Sequence, residues 1–342
     1  VSEPERPFFS IVITTCRDDH PMPKRPDAHV LALMAENCIR QTFRDFELIV
    51  VDLCYKDRRR WLQENYGMLD FPVLHIPDKA SIFRELHLTR ICSARNTGLL
   101  YARGKCVIFS DDCQEWSENA LERLYDWGSH DCGATVRLHR DRGRGSYECD
   151  SRWVAYGIQN TLKTKVVQAD GIGFLGGTLS MVPIDKMLEC NGWDEMFDGS
   201  RQLEDSDMAK RLGATGLKMA LEGHAKCIEY SHGSCSGNIH RGAKDAKCNG
   251  AYIYPIWEAQ PQRYRANDRV LTDDELDRFM SGECVWLAEG GKCKASGDKC
   301  EAMWNRRSLM NIYKDNRLVF DLAEMREDRA WSTAEHDPIL QV

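Results

Sequence analysis

The sequence predicts an α/β fold over residues 1–240, followed by a mostly helical extension over residues 241–342. Short β-branched runs alternate with helical spacings until the alternation fades beyond His240. Acidic residues stand at the ends of several of these predicted strands, which is where open α/β sheets collect their ligands. A chain of 342 residues also has room for one large domain, or one of about 230 residues with a smaller appendage.

Phe8 to Thr15 (FFSIVITT) is a β-branched run that leads into a proline-rich loop ending at Pro26, so it reads as a buried strand and a loop. Val30, Leu33, Met34, Asn37 and Cys38 then recur at helical spacing, and Phe46 to Leu53 (FELIVVDL) is a second buried strand. Strand, helix, strand in that order predicts a parallel pair joined by a crossover helix, the Rossmann-like unit of nucleotide-binding domains. A third short strand is expected over Phe71 to Ile76, and a helix from Arg84 to Ala102 closed by Gly104. Cys106 to Ser110 is a strand that delivers Asp111 and Asp112 at its end.

Cys132 to Leu138 has strand character, and the charged segment His139 to Arg152 reads as a loop. A glycine-rich stretch, Asp170 to Met181, precedes a helix expected from Ile184 to Cys190. The turn Gly192-Trp193-Asp194 and the acidic run Leu203 to Asp207 follow, with a helix to Leu212. In the extension, Thr272 and Glu275 form a capping-box pattern that marks a helix start.

Composition excludes several classes. Hydrophobic residues make up 42% and charged residues 29%, the balance of a globular protein. A formal net charge of -7 argues against a surface that grips nucleic acid along its whole length. Val1 to Pro7 lacks the basic and apolar regions of a signal peptide, and no apolar run approaches a membrane span, so a soluble chain is expected. The 15 cysteines are scattered and odd in number, and several sit inside apolar runs. Reduced, buried thiols in a cytoplasmic setting are therefore expected.

Three acidic elements stand out on this frame: Asp52, the pair Asp111-Asp112, and Glu204-Asp205. A solvated loop or a helix cap accounts for any one of them alone. Together they suit a different task. A departing nucleotide diphosphate develops negative charge that a hard divalent cation on carboxylates neutralises, and a further carboxylate is needed to take the proton of an attacking hydroxyl.

The run Ser10 to Thr15, the segment Gln41 to Asp52 (QTFRDFELIVVD) and Ala94-Arg95-Asn96-Thr97-Gly98 resemble the first half of a family 2 glycosyltransferase of GT-A fold. The resemblance continues in order through Gly104 to Asp112 (GKCVIFSDD), Gly176-Gly177, Gly192-Trp193-Asp194-Glu195 and Glu204-Asp205. It covers residues 8 to 235, roughly two-thirds of the chain. The resemblance implies an inverting enzyme that moves a sugar from a nucleotide diphosphate sugar, with a UDP-sugar the expected donor. The divalent metal it implies is Mn²⁺ or Mg²⁺.

By the same resemblance Thr14, Thr15 and Arg17 line the nucleotide pocket, Asp52 contacts the base or ribose, and Arg95 approaches the nucleotide or its diphosphate. Asp111 touches the ribose or the metal, and Asp112 binds the metal. Asp205 is the general base, Glu204 helps to position the acceptor or the base, and His232 is a metal ligand. Two departures stand out: Cys113 occupies the third position of the usual Asp-x-Asp, and Leu53 and Tyr55 replace the acidic residue and serine that usually follow Asp52. The second leaves the base preference open.

The acceptor, whether glycan, protein or nucleic acid, is not written in the sequence. Cys227, His232, Cys235, His240, Cys248, Cys284, Cys293 and Cys300 offer zinc-ligand chemistry at poor spacing, and buried thiols account for them better. Arg137, Arg140, Arg142 and Arg144, with Lys56 and Arg58 to Arg60, form two basic clusters. They read either as solvated loops or as a surface for a phosphorylated acceptor. A sugar-nucleotide nucleotidyltransferase is the alternative enzyme, although the glycine-rich phosphate loop usual after its first strand is replaced by Thr14 to Asp19. A binding module that has lost activity is the non-enzymatic alternative, suggested by Cys113.

Overall fold

The computed structural model describes residues 6–16, 30–55, 58, 64, 69–79, 90–141, 147–149, 165–168, 177–198, 203–230, 253–254, 256–268 and 320–327. A mixed sheet of ten strands runs through them in the order β3-β2-β1-β4-β9-β6-β10-β5, with β7 on β6 and β8 on β10. The strands are β1 (Phe9–Thr15), β2 (Phe46–Asp52), β3 (Val73–Ile76), β4 (Cys106–Asp111), β5 (Gln114–Trp116), β6 (Gly133–Asp141), β7 (Tyr147–Cys149), β8 (Lys165–Gln168), β9 (Ser180–Pro183) and β10 (Lys218–Glu229). β3, β2, β1 and β4 are parallel neighbours, and β9 is antiparallel to both β4 and β6. β6 therefore points the same way as β1 and β4, and their carboxyl ends share one edge of the sheet.

The first strands are apolar runs because both faces of the sheet are covered. On one face Val12, Ile49, Val107 and Phe109 pack with α2 (Ile91–Tyr101), α4 (Ile184–Glu189) and α5 (Glu204–Ala214). On the other, Ile11, Ile13, Leu48 and Ile108 pack with α1 (Val30–Ile39) and α3 (Ala120–Gly128). In α3 the buried residues are Ala120, Leu121, Leu124 and Gly128, one stripe at helical spacing.

Several elements go beyond the sequence reading. β6 runs on to Asp141 and pairs with β7, so part of the charged segment expected as a loop is strand. The glycine-rich stretch ends in β9 inside the sheet. β5, β7 and β9 span three or four residues, too few to show a period.

Most of the predicted extension lies outside the described residues. Those that are described pack onto the main fold. Leu322, on the short helix α6 (Leu322–Glu327), is fully buried, and its backbone N–H donates to Asn191 Oδ1 at 2.8 Å. Arg326 donates to the carbonyls of Leu99 and Ala102, which closes the end of α2.

No helix among the described residues is long and apolar enough to cross a membrane. No disulfide forms among them either. Burial pushes the Cys38, Cys106 and Cys190 thiols up to about 12, which makes them inert packing residues.

Candidate active site

The site forms where β1, β2 and β4 end. The register sets Thr14 beside Asp111 and Thr15 beside Asp52. Thr15 Oγ1 donates to Asp112 Oδ2 at 2.8 Å, tying the end of β1 to the turn after β4. Asp52 is completely buried. Its Oδ1 accepts from Arg58 Nη2 at 2.5 Å and from the Cys54 backbone N–H at 2.8 Å, and its Oδ2 lies 3.0 Å from His75 Nε2. Burial pushes the Asp52 carboxyl up, but the His75 hydrogen bond and the Arg58 cation outweigh it and hold the group below its ordinary range. Asp52 thus anchors Arg58 and His75 behind the strand ends.

Arg95 is the centre of the open part of the site. It projects from α2, is 3% exposed, and its guanidinium carbon sits 4.4 Å from the centre of the Trp193 ring. Trp193 meets Phe109 edge-on at 5.4 Å, so the cation rests on a rigid aromatic floor. Nη2 lies 3.5 Å from Asp111 Oδ1 and Nη1 lies 3.4 Å from Asp205 Oδ1. One guanidinium therefore joins the carboxylate at the end of β4 to the carboxylate at the start of α5. Burial lowers the Arg95 pKa, but Asp205, Asp111 and Glu204 raise it further, so the group stays charged.

Burial dominates at Asp111 and raises its carboxyl to about 7, against the opposing pull of Arg95. Beside it is Gly177, whose carbonyl accepts from the Asp111 backbone N–H at 2.8 Å. A Cβ on Gly177 would lie 2.4 Å from Asp111 Oδ2 and 2.6 Å from Oδ1. Only glycine leaves that carboxylate its place. Gly177→Ala is expected to turn the Asp111 side chain away from Arg95 and lower kcat/KM for transfer at least about tenfold. The melting temperature should change little, since the group displaced is a side-chain end. Steady-state kinetics with a thermal melt checks both.

Glu204 and Asp205 are the first two residues of α5, with Leu203 in the left-handed region at φ 71° immediately before them. The cap position belongs to Leu203, so Asp205 is inside the helix and is not its cap. The Asp205 side chain is 25% exposed, enough to meet a substrate. The positive end of the helix dipole favours a carboxylate there.

The Trp193 floor is held by a polar lattice. Asn96 Nδ2 donates to the Trp193 carbonyl at 2.8 Å and to Glu195 Oε1 at 2.9 Å, while Asn96 Oδ1 accepts from the Trp193 N–H at 2.8 Å. Gly192 precedes it at φ 68°, a left-handed position that favours glycine. Asp198, fully buried, accepts from the N–H groups of Cys92 and Ser93 at the start of α2, at 2.8 and 2.9 Å. From the far end of the chain, Asn267 Nδ2 donates to the Trp193 carbonyl at 2.9 Å and Asn267 Oδ1 accepts from the Glu195 N–H at 3.0 Å.

Residues 10–185 match the sequence family described as glycosyl transferase family 2. The chain belongs to that family. Among solved structures, a crystal structure of GalNAc-T7 with UDP, GalNAc and Mn²⁺ is similar, with a TM-score of 0.53 at 12% identity. The likeness covers 98% of this chain and 58% of that one, so this chain spans little more than half the length of that relative. At that identity the likeness is one of fold, the GT-A glycosyltransferase fold expected from the sequence. No curated protein sequence matches this chain.

The structure brings Thr14, Thr15, Asp52, Asp111 and Asp112 to one sheet edge, and Arg95 links Asp111 to Asp205. Arg17, Gly176 and His232 lie outside the described residues, as do the cysteines from Cys235 onward. Among the described residues no group of three or more His, Cys, Asp or Glu is placed to cage a metal ion. The donor set nevertheless fits a hard divalent cation. Asp111 and Asp112 offer the carboxylate oxygens that such an ion takes, and the bare α-carbon of Gly177 makes room for the Asp111 carboxylate itself.

Asn267, Asp198 and the stacking role of Trp193 were not foreseen. Gly192-Trp193-Asp194 and Asn96 stood in the motifs, but nothing in the sequence marks Asn267, which lies 72 positions beyond Glu195.

Proposed function

We propose that this glycosyltransferase moves a sugar from a nucleotide diphosphate sugar, a UDP-sugar in the first instance, to an acceptor hydroxyl with inversion at the anomeric carbon. The observation that carries the proposal is the single guanidinium of Arg95 between Asp111 and Asp205. It puts a carboxylate suited to a cation and a carboxylate suited to a proton into one pocket. Thr14, Thr15 and the Asp52-held Arg58 form the wall on the nucleotide side.

In the transfer step the acceptor oxygen forms a bond to the anomeric carbon as the bond to the diphosphate oxygen breaks. The acceptor proton passes to a carboxylate oxygen of Asp205. Glu204, the preceding residue, positions the acceptor. Asp111 and Asp112 would hold a Mn²⁺ or Mg²⁺ ion, which when bound neutralises charge on the departing diphosphate. The resemblance adds His232 and Arg17 to the ligand and pocket sets. GalNAc-T7 was crystallised with UDP and Mn²⁺, which favours those two as first probes.

A panel of nucleotide sugars tests the proposal. A donor at about 100 times its Kd stabilises the folded state by about 2.7 kcal/mol. At least one UDP-sugar should therefore raise the melting temperature by several degrees and be slowly hydrolysed without acceptor. A panel in which no nucleotide sugar does either would remove the function.

A further inference from the structure

Trp193, the ring on which Arg95 rests, belongs to a turn that is closed by residues from far beyond it. Residues 266–267 and 320–322 form a strap along the turn at 190–195. The Ala266 N–H donates to the Cys190 carbonyl and the Phe320 N–H to the Asn267 carbonyl, each at 3.0 Å. Two asparagines then join turn and strap reciprocally. Asn191 Nδ2 donates to the carbonyls of Ala266 and Phe320 at 2.8 and 2.6 Å, and its Oδ1 accepts from the Leu322 N–H at 2.8 Å. Asn267 Nδ2 donates to the carbonyls of Asn191 and Trp193, both at 2.9 Å, and its Oδ1 accepts from the Glu195 N–H at 3.0 Å. Each side-chain amide thus uses both of its protons and its oxygen on the backbone of the other segment.

Asn267 is 5% exposed, and its backbone is left-handed at φ 55°, a conformation that asparagine adopts more readily than most residues with a side chain. The Trp193 carbonyl receives two amides, one from Asn267 and one from Asn96, which follows Arg95 on α2. The helix that supplies the cation and the strap therefore grip one and the same oxygen. Gly192 leaves the turn no slack, since a Cβ there would run into Leu322 and Asn96. Arg95 meets Asp111 and Asp205 at 3.5 and 3.4 Å. Those contacts are at the long limit of a hydrogen bond, so a small shift of the ring beneath the guanidinium breaks one of them.

We propose that Asn267 is a positioning residue of the transfer site: by pinning the Trp193 carbonyl and the Glu195 N–H, it fixes the ring that holds Arg95 between Asp111 and Asp205. The inference rests on the reading that these three charged residues line the transfer site. Asn267 lies outside residues 10–185, which match the family, so the transfer geometry is completed from this chain's own extension. Thr14, Thr15 and Arg58, on the nucleotide side, belong to β1 and to the segment after β2. Loss of the Asn267 side chain therefore falls on turnover and spares nucleotide binding.

Asn267→Gly keeps the left-handed backbone and deletes all three side-chain bonds. For hydrolysis of the UDP-sugar that the donor panel selects, kcat should fall at least about tenfold, while KM and the Kd of UDP with Mn²⁺ stay within about twofold of wild type. Arg265→Gln is the control: it cuts the 2.7 Å ion pair to Asp321 in the same strap, keeps the bonds to the turn, and should keep the wild-type kcat. The full chain labelled with 5-fluorotryptophan gives a second readout, with the Trp193 fluorine resonance assigned by its absence from Trp193→Phe. That resonance should shift or broaden in Asn267→Gly and stay in place in Arg265→Gln. Asn267→Asp, which keeps the bond from the Glu195 N–H, serves if the glycine variant fails to fold. A folded variant with wild-type kcat, a loss confined to UDP affinity, an unmoved Trp193 resonance, or an equal kcat loss in Arg265→Gln overturns the proposal. Hydrolysis of no UDP-sugar by the wild-type chain would remove the proposed function, whereas the fluorine resonance is read without ligand and decides the hold of Asn267 on Trp193 in either case.

Discussion

Asp205→Asn is expected to lower sugar transfer by about two to four orders of magnitude, the usual contribution of a general base, with UDP affinity close to that of the wild type. The substitution keeps the size and shape of the side chain and removes its capacity to accept a proton at neutral pH. Asn is as good a helix cap as Asp, so a capping role would leave the variant nearly silent. The structure already argues against that role, because the cap position is Leu203 and Asp205 lies one residue inside α5. Single-turnover transfer and UDP titration on the same preparation decide the matter. Near-normal turnover would move the base to Glu204.

Arg211→Met is expected to destabilise the fold by about 3–5 kcal/mol and to lower the melting temperature by about 10 °C. Arg211 and Asp207 form an ion pair at 2.7 Å in which each side chain is 1% exposed. Arg211 also donates to the carbonyls of Cys190 and Gly192 at 3.0 and 2.7 Å. Methionine fills the space but strands a buried carboxylate whose remaining partner is Trp257 Nε1 at 3.2 Å. It also frees the turn that holds Trp193 under Arg95. Removing the second charge in the double variant Arg211→Met, Asp207→Leu should recover part of the loss, because the stranded charge is the larger component. Chemical denaturation of the three proteins checks the prediction.

These two cases show where sequence reasoning reached and where it stopped. β1, β2 and β4 were legible because a strand covered on both faces is an unbroken apolar run, and the carboxylates at its end have no packing reason to be there. Family order then placed Arg95 and Asp205 in the site. The local pattern did not show that Arg95 spans two carboxylates over an indole ring, since that depends on α2, β4 and α5 meeting in space. The resemblance has Asp52 contact the base or ribose; in the structure its oxygens are engaged by Arg58, His75 and the Cys54 N–H. No sequence periodicity reports how many partners a buried carboxylate has. Asn267 and Leu322 carry no motif, because their worth lies in backbone groups of the turn at residues 191–195 that they satisfy or cover.

The central claim is that a nucleoside diphosphate binds at the strand ends together with a divalent cation held by Asp111 and Asp112. Calorimetric titration of UDP into the wild-type chain, with Mn²⁺ and then with a chelator, tests it most directly. The account predicts clearly tighter binding with Mn²⁺, and an Asp112→Ala variant that folds normally but gains nothing from the metal. Equal UDP affinity with Mn²⁺ and with chelator would contradict it.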